Sequence, residues 1–192
     1  MEKRELLEEF RNNVVHCKKC ALCKTRKNVV FGEGSPESKI IFVGEAPGYN
    51  EDIKGIPFCG KAGEVLDILL SSVNIQRNAV YITNIIKCRP PENRDPKEEE
   101  IRECAHYLER QLEIIKPSVI CCLGRHSLRY FINRFSLKEQ RSISFLHGKV
   151  IETEEGLFQN VKLVALYHPA VAVYNPDKLE LLKKDFQILK DI

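Results

Sequence analysis

The feature that most constrains the fold of this chain is an alternation of short apolar runs with longer helical stretches. Four runs have the length and composition of buried strands, at residues 39–43 (KIIFV), 80–86 (VYITNII), 118–123 (SVICCL) and 161–166 (VKLVAL). Apolar residues recur at helical spacing in residues 2–14, 63–73, 96–115, 125–135 and 176–190. Helices between strands act as crossovers that make neighbouring strands parallel. The sequence therefore predicts an α/β fold with three layers (α/β/α), in which a mostly parallel central sheet lies between helices.

The composition is typical of a globular protein rather than a disordered or membrane-spanning chain. Hydrophobic residues make up 43% of the 192 residues and charged residues 30%. No apolar run approaches the roughly 20 residues that span a bilayer, and the N-terminal MEKRELLEEF lacks the apolar core of a secretory signal. We therefore expect a single domain over residues 1–192, a cytoplasmic location, no membrane contact and a monomer. The net charge of +3 is too small to identify a polyanionic partner.

Each predicted strand runs into a polar or Gly/Pro-rich stretch. These stretches are residues 44–48 (GEAPG), 84–94 (NIIKCRPPENR), 124–127 (GRHS) and 167–170 (YHPA). In an open α/β sheet, ligands bind in the crevice beyond the carboxyl ends of the strands. We therefore expect the functional side chains in these four loops.

Eight cysteines are many for a chain without an export signal, and reduced cysteines of this kind indicate metal binding or catalysis before disulfides. Cys17 and Cys20 form a C-x2-C pair in a basic stretch. Four thiolates close a tetrahedral zinc site or hold a 4Fe–4S cluster. The best further candidates are Cys88 and Cys104, and Cys23 is a rival ligand, whereas Cys121 and Cys122 lie in an apolar strand and are expected in the core. The spacing does not choose between zinc and iron–sulfur.

Four motifs occur together in a fixed order: residues 44–48 (GEAPG), 55–60 (GIPFCG), 83–94 (TNIIKCRPPENR) and 168–170 (HPA). With the cysteine pattern, they resemble the family 4 uracil-DNA glycosylases, the iron–sulfur branch of that superfamily. The resemblance extends from Cys17 to about Tyr174. It implies an enzyme that excises uracil from DNA and initiates base-excision repair of deaminated cytosine.

The resemblance also implies a cofactor and its ligands. The family places a 4Fe–4S cluster on cysteines that match Cys17, Cys20, Cys88 and Cys104, which leaves Cys23 outside the set. We therefore expect a small iron–sulfur lobe built by the N-terminal segment and the segment 88–104. Since hydrolysis of a glycosidic bond moves no electrons, we expect the cluster to be structural.

A glycosylase of this kind must read uracil in a pocket after flipping it from the DNA. Asn84 ends a predicted strand, and a side-chain amide can meet both O4 and N3–H of uracil; alternatively, it caps a turn. Phe58, in a Gly/Pro loop, is a candidate stacking platform for the base or a plug of the core. The expected substrate-binding set also contains Ala46, Gly48 and Asn93. In another branch of the superfamily, an aspartate stands at the position of Ala46. A tyrosine that excludes the methyl group of thymine stands there at the position of Gly48.

The expected catalytic group is His168, at the carboxyl end of a strand. A donor aimed at uracil O2 stabilises the negative charge that develops as the glycosidic bond stretches. The group that activates water is less defined by the sequence, and Glu45 and Glu51 are the candidate carboxylates.

Two regions are candidates for DNA contact. Basic residues cluster near the cysteines at positions 18–27 and 87–94, and they are expected to contact phosphates, Lys87, Arg89 and Arg94 among them. The segment Val171–Tyr174 lies between two prolines, and we expect it to enter the duplex with Tyr174 as its main contact.

The alternative to an enzyme is a non-enzymatic iron–sulfur or zinc protein that binds DNA, which would have no need for Phe58, Asn84 and His168 together.

Overall fold

The computed structural model describes residues 2–153 and 161–192, which form a sheet with helices on both faces. The strands are β1 (Glu33–Gly34), β2 (Ile40–Gly44), β3 (Tyr81–Asn84), β4 (Val119–Leu123), β5 (Lys149–Glu152) and β6 (Lys162–Leu166). The α-helices are α1 (Lys3–Val14), α2 (Tyr49–Lys54), α3 (Lys61–Ser72), α4 (Glu98–Ile115), α5 (Arg125–Arg134), α6 (Ile143–Leu146), α7 (Ala170–Tyr174) and α8 (Leu179–Phe186).

The sheet is mostly parallel, as the alternation of strands and helices predicts. Its strand order is β1-β3-β2-β4-β6-β5. The four inner strands are parallel to one another, and the edge strands β1 and β5 run antiparallel to their neighbours. These two edge strands are absent from the sequence prediction because a two-residue strand and a half-exposed edge strand carry little apolar signal.

Successive residues of the inner strands point to opposite faces of the sheet and fill two separate cores. Ile41 and Val43 face a core that α1, α4 and α5 close, whereas Phe42 faces a second core under α3 and α8. The same alternation sends Cys122 to the first core and Cys121 to the second, both fully buried. The predicted three-layer α/β arrangement is confirmed, and these two cysteines are core residues as expected.

The C-terminal region differs from the predicted single helix over residues 176–190. It consists of the 3-10 turn Pro176–Lys178, helix α8 and the 3-10 turn Gln187–Lys190. Asn175 accepts a hydrogen bond from the backbone N–H of Asp177 at 3.2 Å, which starts the first turn beside Pro176. The segment before it, which the sequence presents as a loop, is the short helix α7.

The sheet register brings the motif loops to one edge. Gly44 pairs with Asn84 across β2 and β3, and Leu123 pairs with Leu166 across β4 and β6, so the loops that follow these strands begin at nearly the same level.

Among the described residues, no helix has both the length and the apolar character needed to cross a membrane.

Candidate active site and cysteine pocket

Asn84 lies at the carboxyl end of β3 with only 2% of its surface exposed. Its side-chain oxygen Oδ1 is buried and has no hydrogen-bond partner. A Cβ atom at the neighbouring Gly44 would lie 2.3 Å from this oxygen and 2.8 Å from Cζ of Phe58. The glycine therefore lets the amide and the aromatic ring approach one another. A buried acceptor without a partner costs free energy unless a ligand donates to it.

Phe58 is held on the other side of Gly44 in a strained backbone conformation. Its φ angle is +48°, in the left-handed region that residues with a side chain seldom adopt. A Cβ atom at Gly63 would lie 1.8 Å from the carbonyl oxygen of Phe58, so α3 approaches this loop only because position 63 is glycine. The strain, together with the close approach, fixes the ring at the edge of the pocket.

His168 completes the pocket from the loop after β6. Its ring centroid lies 5.5 Å from that of Phe58, with 31° between the planes. Nδ1 accepts a hydrogen bond from the backbone N–H of Ala170 at 3.1 Å. Burial lowers the pKa of His168 to about 4, against a smaller opposing effect of the Glu51 charge. The imidazole is therefore neutral at pH 7, and its proton lies on Nε2 because Nδ1 is an acceptor.

Glu51, on α2, supports the loop that carries Phe58. One of its oxygens, Oε1, accepts the backbone N–H groups of Cys59 and Gly60, both at 3.0 Å. A Cβ atom at Gly48 would lie 2.7 Å from the other oxygen, Oε2. The Glu51 carboxylate therefore lies between the GEAPG loop and the loop that carries Phe58.

Glu45 has different neighbours from Glu51. Its Oε2 lies 3.8 Å from Nε2 of His126, which is in turn 3.3 Å from Asp95, and its Oε1 is buried without a partner. The pKa of Glu45 is raised to about 7, chiefly by burial and to a smaller extent by the Asp95 charge, while the Arg125 charge opposes the shift. Sequence reasoning missed His126 and Asp95; the position of His126 at the start of α5, just beyond the carboxyl end of β4, was the available signal.

The remaining substrate and DNA candidates have contacts of their own. Ala46 is partly buried against the core on the α4 side. Asn93 is exposed, and its Oδ1 accepts a hydrogen bond from Nε of Arg89 at 2.7 Å, while the Arg89 guanidinium lies 5.1 Å from the Tyr49 ring centroid. Arg94 forms a two-point ion pair with Glu100, at 2.9 and 2.7 Å. These contacts group Asn93 with Arg89 and turn Arg94 toward the body of the protein.

The predicted ligands Cys17, Cys20, Cys88 and Cys104 all line one pocket. The first two come from the turn after α1, Cys88 from the loop after β3, and Cys104 from α4. The walls also include Leu22, Val29, Tyr107 and the charged residues Lys19, Arg26 and Glu103. Cys23 lies in the adjacent 3-10 turn and is not part of this lining.

The chemistry of the donor set fits an anionic metal–thiolate group. N–H groups donate to three of the sulfurs: backbone N of Lys19 to Cys17 at 3.5 Å, Nη1 of Arg26 to Cys88 at 3.4 Å, and backbone N of Lys87 to Cys104 at 3.2 Å. Burial raises the pKa of Cys88 to about 12 and that of Cys104 to about 11. Thiolates at these two buried positions need a cationic group to offset their charge, and a metal held by the four sulfurs would supply it.

Lys87 corrects an expectation from the sequence. The sequence places it among the phosphate-contacting basic residues, but it is 1% exposed and cannot reach DNA. Its Nζ donates to Oγ1 of Thr83, the carbonyl of Asn84 and Oε1 of Gln111, each at 2.7 Å. Burial lowers the pKa of Lys87 to about 7, and negative charge on Cys104 and Cys88 opposes this. The residue turns under β3 because three buried acceptors satisfy its ammonium group there.

Tyr174 is the most exposed of the large hydrophobic residues described, at 88%. It ends α7, whose Ala172 is buried and whose Val171 is partly buried against the core under α3. The helix starts directly after His168, whose carbonyl accepts the backbone N–H of Val171 at 2.9 Å. Tyr174 therefore projects into solvent on a short helix anchored at the pocket.

Comparison with known proteins gives one consistent family. A sequence model of the uracil DNA glycosylase superfamily matches residues 31–190. The type-4 uracil-DNA glycosylase of Archaeoglobus fulgidus is 46% identical over 188 residues, covering 98% of this chain and 94% of the relative. The corresponding enzymes of Saccharolobus solfataricus (45%, covering 96% and 85%) and Thermotoga maritima (41%, covering 90% and 86%) are similar over most of their length. The chain belongs to the type-4 branch of the uracil DNA glycosylase superfamily.

Proposed function

We propose that this protein excises uracil from DNA by hydrolysis of the N-glycosidic bond and thereby starts base-excision repair. The observation that carries the proposal is that Asn84 and Phe58 meet at Gly44, with the His168 ring centroid 5.5 Å from that of Phe58. The similarity to type-4 uracil-DNA glycosylases supports the same activity. We also propose that residues 1–192 form one domain that acts as a monomer.

In the proposed complex, a flipped uracil stacks on Phe58 and is read by Asn84. The unpartnered Oδ1 of Asn84 accepts the N3–H of uracil, while its Nδ2 donates to O4. Cytosine has no N3–H and presents an amino group at C4, so it leaves both partners mismatched. Ala46 and Gly48 lie in the adjacent loop, and Asn93 with Arg89 lies in the loop after β3.

His168 then stabilises the leaving group. Because its Nδ1 accepts from Ala170, the neutral ring directs an Nε2–H donor toward uracil O2, where negative charge gathers as the bond stretches. A donor positioned in advance favours the transition state over the ground state. We assign the role of activating the water beside the sugar to the carboxylate of Glu51, which holds the Phe58 loop, and keep Glu45 as the alternative.

We further propose that Cys17, Cys20, Cys88 and Cys104 hold a 4Fe–4S cluster. When bound, the cluster contributes a covalent link between distant segments and no proton or electron to the hydrolysis. The three N–H donors to sulfur support this assignment, since such donors stabilise the charge of iron–sulfur clusters.

The test is release of uracil from a single-stranded uracil-containing oligonucleotide under single-turnover conditions. His168→Ala should lower the rate by roughly 10²–10³, the scale for loss of one oxyanion donor, with little change in binding to an abasic product analogue. Asn84→Ala should also slow excision, whereas Asn12→Ala, on the exposed side of α1, should not. Near-normal rates for both His168→Ala and Asn84→Ala would remove the proposed site.

The same assay decides between the alternatives. If Glu51 activates the water, Glu51→Gln should slow excision more than Glu45→Gln. The reverse order would assign this role to Glu45. A protein that binds DNA but releases no uracil would be the non-enzymatic metal protein instead.

A further inference from the structure

The buried ammonium of Lys87 lies between the cysteine pocket and the base-reading residue. Its three acceptors, Oγ1 of Thr83, the carbonyl of Asn84 and Oε1 of Gln111, all lie at 2.7 Å. Its own backbone N–H donates to Sγ of Cys104 at 3.2 Å. One residue therefore contacts both a predicted cluster ligand and the main chain of Asn84.

The carbonyl of Asn84 needs this partner because β1, which runs antiparallel to β3, begins only at Glu33 and has no residue opposite Asn84. In the described part of the sheet, β1 pairs only with Tyr81 and Ile82 of β3, so Thr83 and Asn84 extend beyond it. Asn84 is 2% exposed, and a carbonyl buried there without a donor would be costly. The ammonium of Lys87 takes the place of the missing ladder hydrogen bond.

The acceptors of Lys87 are themselves fixed by a closed network. Nε2 of Gln111 donates to the carbonyl of Phe31 at 2.8 Å and to the hydroxyl of Tyr81 at 3.1 Å. The hydroxyl of Thr83 donates to the same Phe31 carbonyl at 2.9 Å. A fully satisfied buried network holds its members in one arrangement, so Lys87 has little freedom to move.

We propose that Lys87 is a positioning residue for base recognition: it fixes the main chain of Asn84 so that the side-chain amide meets uracil. The proposal rests on the proposed function, because it assumes that Asn84 reads the base. It also gives the cysteine pocket a physical connection to the base pocket, since the backbone of Lys87 is tied to Cys104.

The decisive variant is Lys87→Met, which keeps the length of the side chain and removes its three hydrogen bonds. The backbone N–H to Cys104 is retained, so absorption near ~400 nm from an iron–thiolate cluster should be unchanged. Excision of uracil from single strands should fall by roughly 10–100-fold, because a displacement of about 1 Å at a group that positions the substrate can lower the rate by as much as 10²-fold. Loss of the cluster absorption in this variant would overturn the proposal, because the effect would then pass through the cysteines.

A double-mutant cycle separates positioning from general damage. Adding Lys87→Met to Asn84→Ala should cost less than about threefold, whereas adding it to His168→Ala should cost its full effect. Equal additional losses in both backgrounds would overturn the proposal. If Lys87→Met does not fold, Thr83→Val removes one acceptor at nearly constant volume and should give a smaller loss with the same coupling to Asn84.

A readout independent of activity keeps this inference distinct from the proposed function. In the NMR spectrum of protein labelled with ¹⁵N-asparagine, the side-chain signals of Asn84 are identified as those that disappear in the Asn84→Ala variant. Lys87→Met should shift them, and the exposed Lys18→Met should leave them unchanged. Unshifted signals would overturn the role of Lys87, whereas an inactive parent protein would overturn only the proposed function.

Discussion

At the scale of single residues, the protonation state of His168 decides how it acts. Burial lowers the pKa of His168 to about 4, below its ordinary value of 6.5, so the folded state binds this proton less tightly than the unfolded state. Its contribution to stability is therefore full above pH 6.5 and is lost as the pH falls toward 4. We expect ¹⁵N NMR to show a neutral ring with the proton on Nε2 at pH 6–8. A titration midpoint near 6.5 would contradict this assignment.

The pKa of Glu45 is raised by burial, and the effect of pH on its contribution to stability is therefore the reverse of that for His168. Its pKa rises from 4.5 to about 7, and among its charged neighbours Asp95 adds to the shift and Arg125 opposes it, with the His126 ring alongside. The folded state thus holds this proton more tightly, so the contribution to stability is full below pH 4.5 and is lost as the pH rises through 7. Glu45→Gln should raise the free energy of unfolding at pH 8 by on the order of 1–2 kcal/mol.

Urea unfolding at two pH values checks this expectation. The difference between Glu45→Gln and the parent protein should be much smaller at pH 4.5 than at pH 8. The same difference at both values would show that the substitution acts through packing rather than through the charge of the carboxylate.

At the scale of elements, α7 presents Tyr174 to solvent, where we expect it to contact DNA. The helix is anchored by the buried Ala172, while Tyr174 is 88% exposed and contributes little to the core. If its ring enters the stack, Tyr174→Ala should lower excision on double-stranded uracil DNA about tenfold, as expected for one stacking contact. On single strands, where no stack must be opened, the loss should stay below about threefold.

The matched control is Phe145→Ala, which removes another exposed aromatic ring, 66% accessible, from α6. Neither variant should change the melting temperature by more than a degree or two, because surface substitutions have small effects on stability. Equal losses on both DNA substrates, or a large fall in the melting temperature of Tyr174→Ala, would show that the residue does not act as a wedge.

At the scale of the whole molecule, the cysteine pocket joins segments that are far apart in sequence. Cys17 and Cys20 follow α1, whereas Cys88 and Cys104 belong to the region between β3 and the middle of α4. Binding of a metal group to such a set contributes to folding. We expect purified protein to be brown, with broad absorption near ~400 nm, and Cys104→Ala to lose both this absorption and thermal stability.

Cys23→Ala is the control for the cluster, because Cys23 does not line the pocket. It should keep the absorption and the melting temperature of the parent protein. Colourless protein with one zinc ion per chain would show that the four cysteines hold zinc.

The sequence by itself determined the class of the fold and most of the candidate site. Apolar runs separated by helical stretches specify a parallel sheet. The apolar periodicity that marks each segment is a local property of the sequence, and each connection is long enough to hold a crossover helix. The loops after the strands located Asn84 and His168, since the carboxyl edge of such a sheet binds ligands. The motifs identified the family, and the C-x2-C pair identified two of the four cysteines that line one pocket.

Tertiary structure decided the roles that depend on contacts between distant residues. A lysine beside Cys88 reads as a surface charge, yet Lys87 is buried because Gln111, on α4, and β3 supply its acceptors. Likewise, Glu45 and Glu51 are both acids of one loop region, but packing sends one to His126 and the other to the Phe58 loop. Burial and hydrogen bonding set such roles, and both arise only where segments far apart in sequence meet.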